Sequence, residues 1–159
     1  MPGTAPTLPG PREVLARYHR AMLDKSADDL ADLYAEDALH EFPFLFPRMP
    51  RRYRGREEVR AGYRAAWGAT PARLEEIRGV VVHETADPEV IVVEQEVAGT
   101  LSTTGQPFAA AGLLVLRVRD GRLTHVRDYL DGVALLASLG DGEVQHGGQT
   151  VRETGLGRG

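Results

Sequence analysis

The chain has 159 residues, 42% of them apolar and 26% charged, which suits one globular domain built around a single core. It contains no cysteine, which excludes disulfides, thiol chemistry and cysteine-ligated metal sites, and its net charge of −4 runs against a dedicated nucleic-acid binder. No run of eighteen apolar residues occurs, and the start MPGTAPTLPGPRE has neither a basic head nor a hydrophobic segment, so no membrane contact is expected and the expected location is the cytoplasm.

Residues 1–11 hold Pro2, Pro6 and Pro9 without apolar periodicity and read as a flexible lead. From Arg12 to Leu23, Val14, Leu15, Tyr18, Ala21 and Met22 recur at helical spacing, with Pro11 fitted to the first turn. Ser26, three residues before Asp29, reads as the cap of a short second helix with Leu30, Leu33 and Tyr34 as its apolar stripe. A third helix is expected from Arg56 to Ala69, burying Val59, Tyr63, Ala66 and Trp67 and stopping at Pro71. From Leu74 the period changes to two: RLEEIRGVVVHE, EVIVVEQEVAGTLS, PFAAAGLLVLRVR and RLTHVRDYLD read as four long strands. Asp87-Pro88, Thr104-Gly105 and Asp120-Gly121 separate them as turns, so neighbouring strands close as antiparallel hairpins. A short helix from Val133 to Leu139 follows, and residues 141–159, rich in glycine, read as a flexible tail. Helices first and a meander afterwards predict an α+β domain over residues 12–140.

This order, with the segments YAEDALHEFPF, PRRYRGREEV and GRLTHVRDYLD, resembles the nuclear-transport-factor-like superfamily, which includes ketosteroid isomerase, limonene epoxide hydrolase and the SnoaL-like polyketide cyclases. The resemblance implies a cone-shaped α+β barrel, with N-terminal helices packed on a curved, mainly antiparallel sheet. It does not choose a reaction, because the fold hosts several chemistries. VRDYLD is similar to the strand of limonene epoxide hydrolase that carries the water-activating aspartate, and Asp128 takes that place. The hydrolase's partner arginine and aspartate positions fall on Gln95 and Val97, and the isomerase's base position falls on Phe42, so neither reaction is reproduced residue for residue. Tyr18 matches the isomerase's hydrogen-bonding tyrosine.

Alternation places Thr124, Val126, Asp128 and Leu130 on one face of the last strand. If that face is inward, Asp128 is a carboxyl among apolar neighbours whose desolvation raises its pKa toward neutrality, fit for acid/base work. Ala38, His40 and Phe42 share a face that the resemblance makes inward, so Asp128 and His40 are expected as an acid/base pair and Tyr18 as a hydroxyl donor. Gln95, Phe42, Trp67, Val126 and Leu130 are the expected substrate-binding residues. His19, His83 and His125 lack metal-ligand spacing and no glycine-rich phosphate loop joins a strand to a helix, so neither metal nor cofactor is expected.

Seven arginines lie between Arg48 and Arg64, either as a solvated face beside Glu57 and Glu58 or as a docking patch for an acyl carrier protein. The apolar loop from Phe42 to Met49 reads as a lid or a dimer contact, and the resemblance implies a homodimer through the outer sheet face. The expected function is a cofactor-independent cyclase or isomerase of a large apolar, polyketide-type intermediate. Epoxide hydrolysis or epoxide-opening cyclisation, and non-catalytic binding of a small apolar molecule, are the alternatives.

Overall fold

In the computed structural model, which describes residues 3–44 and 50–140, the element order is α1 (Pro11–Asp24), α2 (Ala27–Ala31), β1 (Tyr34–Glu41), β2 (Arg52–Arg54), α3 (Arg56–Ala69), β3 (Ala72–Glu84), β4 (Val90–Leu101), β5 (Pro107–Arg119), β6 (Arg122–Leu130) and α4 (Gly132–Gly140). The expected tail, residues 141–159, and the loop residues 45–49 lie outside the described residues. Local chemistry sets the helix ends. Pro11 opens α1, and Lys25 ends it in the left-handed region with its N–H on the last-turn carbonyls. The Ser26 hydroxyl accepts from the Asp29 N–H at 3.1 Å and caps α2. Thr70, extended ahead of Pro71, ends α3, and the Asp131 carboxylate accepts from the Ala134 N–H at the start of α4.

The sheet has six strands in the order β2-β1-β6-β5-β4-β3, curved and unclosed, antiparallel everywhere except between β1 and β6. Two of these strands were not among the four expected. Tyr34, read as the end of the second helix's stripe, instead opens β1, because α2 stops at Ala31. The hairpin turns fall where expected, with Gly105, Asp120 and Gly121 at positive φ. The edge strand β3 carries two bulges, which bend it around the helices.

Helices α1–α3 cover one face of the sheet. Val14, Leu15 and Tyr18 of α1, Leu30 of α2 and Val59 and Tyr63 of α3 pack there against Ile91, Val93, Leu114, Leu116, Leu123 and Val126. Strict alternation on β6 fails at one point. Leu123 and Val126 are both fully buried, since the register slips between Arg117 and Val118 and leaves Thr124 as the extra, unpaired residue of a bulge. From Val126 onward the expected alternation holds, and Asp128 lies directly opposite Leu114 on the helix-covered face.

Candidate functional site

The concave face has a closed half and an open half. In the closed half Tyr18, Val93, Leu114, Leu116 and Val126 have essentially no exposed surface. In the open half His19, Met22, Trp67, Gln95, Val97, Asp128 and Leu130 are only partly buried, and His19 of α1 reaches Gln95 of β4. Asp128 lies where the two halves meet. The residue retains some exposure, yet protein surrounds its carboxyl so densely that burial pushes its pKa from 3.8 up to about 7. Partial accessibility and strong desolvation together describe a side chain lining an indentation. Desolvation disfavours the charged carboxylate, so at neutral pH this acid can both give and take a proton.

Three tyrosines from three elements converge beside it: Tyr18 from α1, Tyr34 from the start of β1 and Tyr63 from α3. Burial, reinforced by the neighbouring Asp128 charge, raises the pKa of all three, so they remain neutral hydroxyl donors. The Tyr18 hydroxyl is buried and makes no hydrogen bond of ordinary length and angle, although it is close enough to the hydroxyls of Tyr34 and Tyr63 to influence them.

His40 does not play the part expected of it. It is 0% exposed, with Nδ1 2.7 Å from the Tyr34 hydroxyl and Nε2 3.2 Å from the Tyr63 hydroxyl. Desolvation first, and the charge of His125 second, push its pKa down to about 3. It is therefore a neutral hub at physiological pH, holding two tyrosines in place, and not a proton-carrying partner of Asp128. Its ring is enclosed by Phe42 at 4.7 Å and Tyr63 at 5.5 Å between centroids.

Two expected substrate contacts fall in the core instead. Val126, in register with His40, is fully buried, and Phe42 is wedged between His40 and Tyr53, so neither has surface for a ligand. Trp67, packed at 5.0 Å on Tyr63, and Leu130 stay partly accessible. Gln95 accepts at 2.7 Å from the His19 ring through its amide oxygen. Tyr34 and Tyr63 were missed as site residues because each reads locally as helix-stripe core. The available signal was their shared inward direction with His40, which becomes visible only after β1 is recognised as a strand.

The arginine tract is largely tied down. Arg60 bridges Asp28, Asp32 and Glu57, Arg64 reaches Asp28, and Arg56 donates to the Tyr34 carbonyl at 2.8 Å. These contacts bind α3 to α2 and to β1. Arg51, Arg52 and Arg54 remain exposed, and Arg48 lies outside the described residues.

The sheet face turned away from α1–α3 carries a groove of about 900 Å³ under α4, lined by Phe44, Glu94, Leu113 and Tyr129 among others, with Gln95 and Leu130 also bordering it. Phe44, expected in a lid or a dimer contact, is 59% exposed and packs edge-on against Tyr129 on this outer side at 5.4 Å. Among the described residues no helix is long and apolar enough to cross a membrane.

Comparison with known proteins agrees with the fold. An uncharacterized PhzA/B-like protein of Pseudomonas aeruginosa is 29% identical over 129 residues, 81% of this chain and 89% of that one. The crystal structure of a candidate isomerase from Bacillus subtilis superposes with a TM-score of 0.73 at 26% identity, over 81% of this chain and 91% of that one. IdmH from Streptomyces antibioticus, named as a candidate polyketide cyclase, superposes with a TM-score of 0.62 at 25% identity, over 82% and 98% of the two chains. The model of the SnoaL-like domain matches residues 15–126, from within α1 to the middle of β6, which takes in the three buried tyrosines and His40 and stops two residues before Asp128. With that model matched over more than half of its length, the chain belongs to the SnoaL-like family.

Proposed function

We propose that the protein is a cofactor-independent enzyme that moves a proton on a large, apolar, enolisable substrate, as a cyclase or isomerase of polyketide-type intermediates. One observation carries this reading: a carboxyl poised at about 7 stands among three buried tyrosine hydroxyls, two of them held by His40. Ionised Asp128 removes a proton from the carbon next to a substrate carbonyl, and the electron pair moves onto the carbonyl oxygen. Tyr18, buried with Tyr34 and Tyr63 beside Asp128, keeps the surroundings of the acid polar and water-poor without itself touching the substrate. Asp128, now protonated, returns the proton at another carbon, or the enolate carbon adds to a second carbonyl of the substrate and the alkoxide so formed takes the proton back from Asp128. His40 is a positioning residue that fixes Tyr34 and Tyr63, and Trp67 and Leu130 supply apolar walls. The lateral neighbours of Asp128 on this face are Leu114 and Val93 and not a second carboxylate, which favours proton transfer at carbon over epoxide opening.

The test is exchange of the α-protons of 2-tetralone in heavy water, followed by proton NMR. The parent protein accelerates exchange, and Asp128→Asn slows it by about 10²–10⁴-fold while the fold is retained. No acceleration by the parent, or equal rates for both proteins, overturns the assignment.

We also infer that a second copy covers the outer sheet face, where Leu113 adjoins Tyr129, Glu94 separates them from the exposed Val81, and the exposed Phe44 packs on Tyr129. Sedimentation equilibrium at micromolar concentration then returns the mass of a dimer, and a monomer mass contradicts it.

A further inference from the structure

The concave face carries a second polar pair, one inward-facing row along from the acid. Asp128, Leu114 and Val93 stand opposite one another across β6, β5 and β4, and Leu130, Gly112 and Gln95 form the next row. With strands ~4.8 Å apart and a rise of ~3.4 Å per residue, the Cα atoms of Asp128 and Gln95 are about 12 Å apart. His19, the residue after Tyr18 on α1, reaches across to this row and places Nε2 2.7 Å from the Gln95 Oε1. Burial lowers the pKa of this ring, against a smaller opposing effect of the Gln95 bond, so it is neutral. An imidazole meeting an amide oxygen donates its N–H, which turns the Gln95 amino group away from His19. That amino group makes no hydrogen bond among the described residues, and the neighbouring Gly112 offers it no side chain.

We propose that His19 and Gln95 form a distal recognition site on the concave face, in which His19 positions the Gln95 amide to donate to an oxygen acceptor at the far end of a substrate whose reacting end lies at Asp128. The class selected is an apolar molecule with the reach of roughly two or three fused rings, carrying an oxygen at each end. A molecule with one oxygen leaves the amide donors unpaired, and a site built around such donors discriminates against it. The inference rests on the concave face being the ligand site, as proposed above. It adds the polarity and spacing of the second contact.

Two fluorescent probes separate the ideas: 2-naphthol, with one oxygen, and 2,6-dihydroxynaphthalene, with oxygens at opposite ends of the rings. The parent protein binds the second about tenfold more tightly than the first. That preference falls to about twofold or less in Gln95→Leu and in His19→Leu, and returns in His19→Gln, whose amide can donate to the Gln95 oxygen in place of the ring. A preference unchanged in both leucine variants, or absent from the parent, overturns the distal site alone. Failure of the parent to bind either probe, or binding of both that is indifferent to Asp128→Asn, overturns the concave face as the ligand site and this inference with it.

Discussion

Replacing Asp128 with asparagine preserves the shape of the side chain and removes its titration, which makes the consequence of its burial measurable as stability. In the folded chain the carboxyl is pushed from 3.8 up to about 7. Between those values the folded state keeps a proton that the unfolded state has released, so stability falls as pH rises through the window, by about 1.4 kcal/mol per pH unit. Three units amount to about 4 kcal/mol, a ceiling, because the residue is partly accessible and solvent relaxation discounts it. His40 acts with the opposite sign. Its pKa is lowered from 6.5 to about 3, so it contributes stability that is present above the unfolded value and lost as pH falls toward the folded one. Below about pH 6.5 the two slopes oppose each other in the parent, which masks both, and the difference between parent and Asp128→Asn isolates the acid. The two proteins should be nearly equal in stability near pH 4, and the variant should be ahead by about 2 kcal/mol near pH 8. Urea unfolding at constant ionic strength, followed through the single tryptophan, Trp67, reads this directly. A difference that does not change with pH refutes a titrating, desolvated Asp128.

His40→Phe leaves the Tyr34 and Tyr63 hydroxyls buried without their common partner and should cost about 2–5 kcal/mol, seen as a lowered thermal midpoint; an unchanged midpoint contradicts the hub. Gly99→Ala should be among the most damaging small substitutions, at about 3 kcal/mol or more in chemical denaturation, because its Cβ would fall 1.8 Å from the Arg73 carbonyl oxygen in the bulged pairing of β3 with β4. Parent-like stability there would mean that β3 shifts freely. Arg60→Ala should loosen α2 from α3 and lower the thermal midpoint in dilute buffer, with the deficit shrinking in high salt because its acidic partners are exposed; a deficit insensitive to salt would point to packing and not to charge.

Much of the scaffold is legible in consecutive residues. Pro11 and Pro71 bound α1 and α3, Ser26 caps α2, and the Asp-Gly and Thr-Gly turns space the meander, since each of these effects acts over a few bonds of chain. The two-residue period places Asp128, Gln95 and Leu130 on a common face for the same reason. Tyr34 as a strand residue, the parallel pairing of β1 with β6, and the bulge that turns Leu123 inward were decided by partners far along the chain. So was the chemistry of His40. Nothing beside it in YAEDALHEFPF announces that tyrosines 6 and 23 residues away will hold both ring nitrogens, or that its charge will be suppressed. The direction of a side chain follows from local backbone geometry, and the sequence by itself determines that. How far an ionisable group is removed from water, and which polar atoms meet it there, depends on everything that folds around it, and only the tertiary structure decides that.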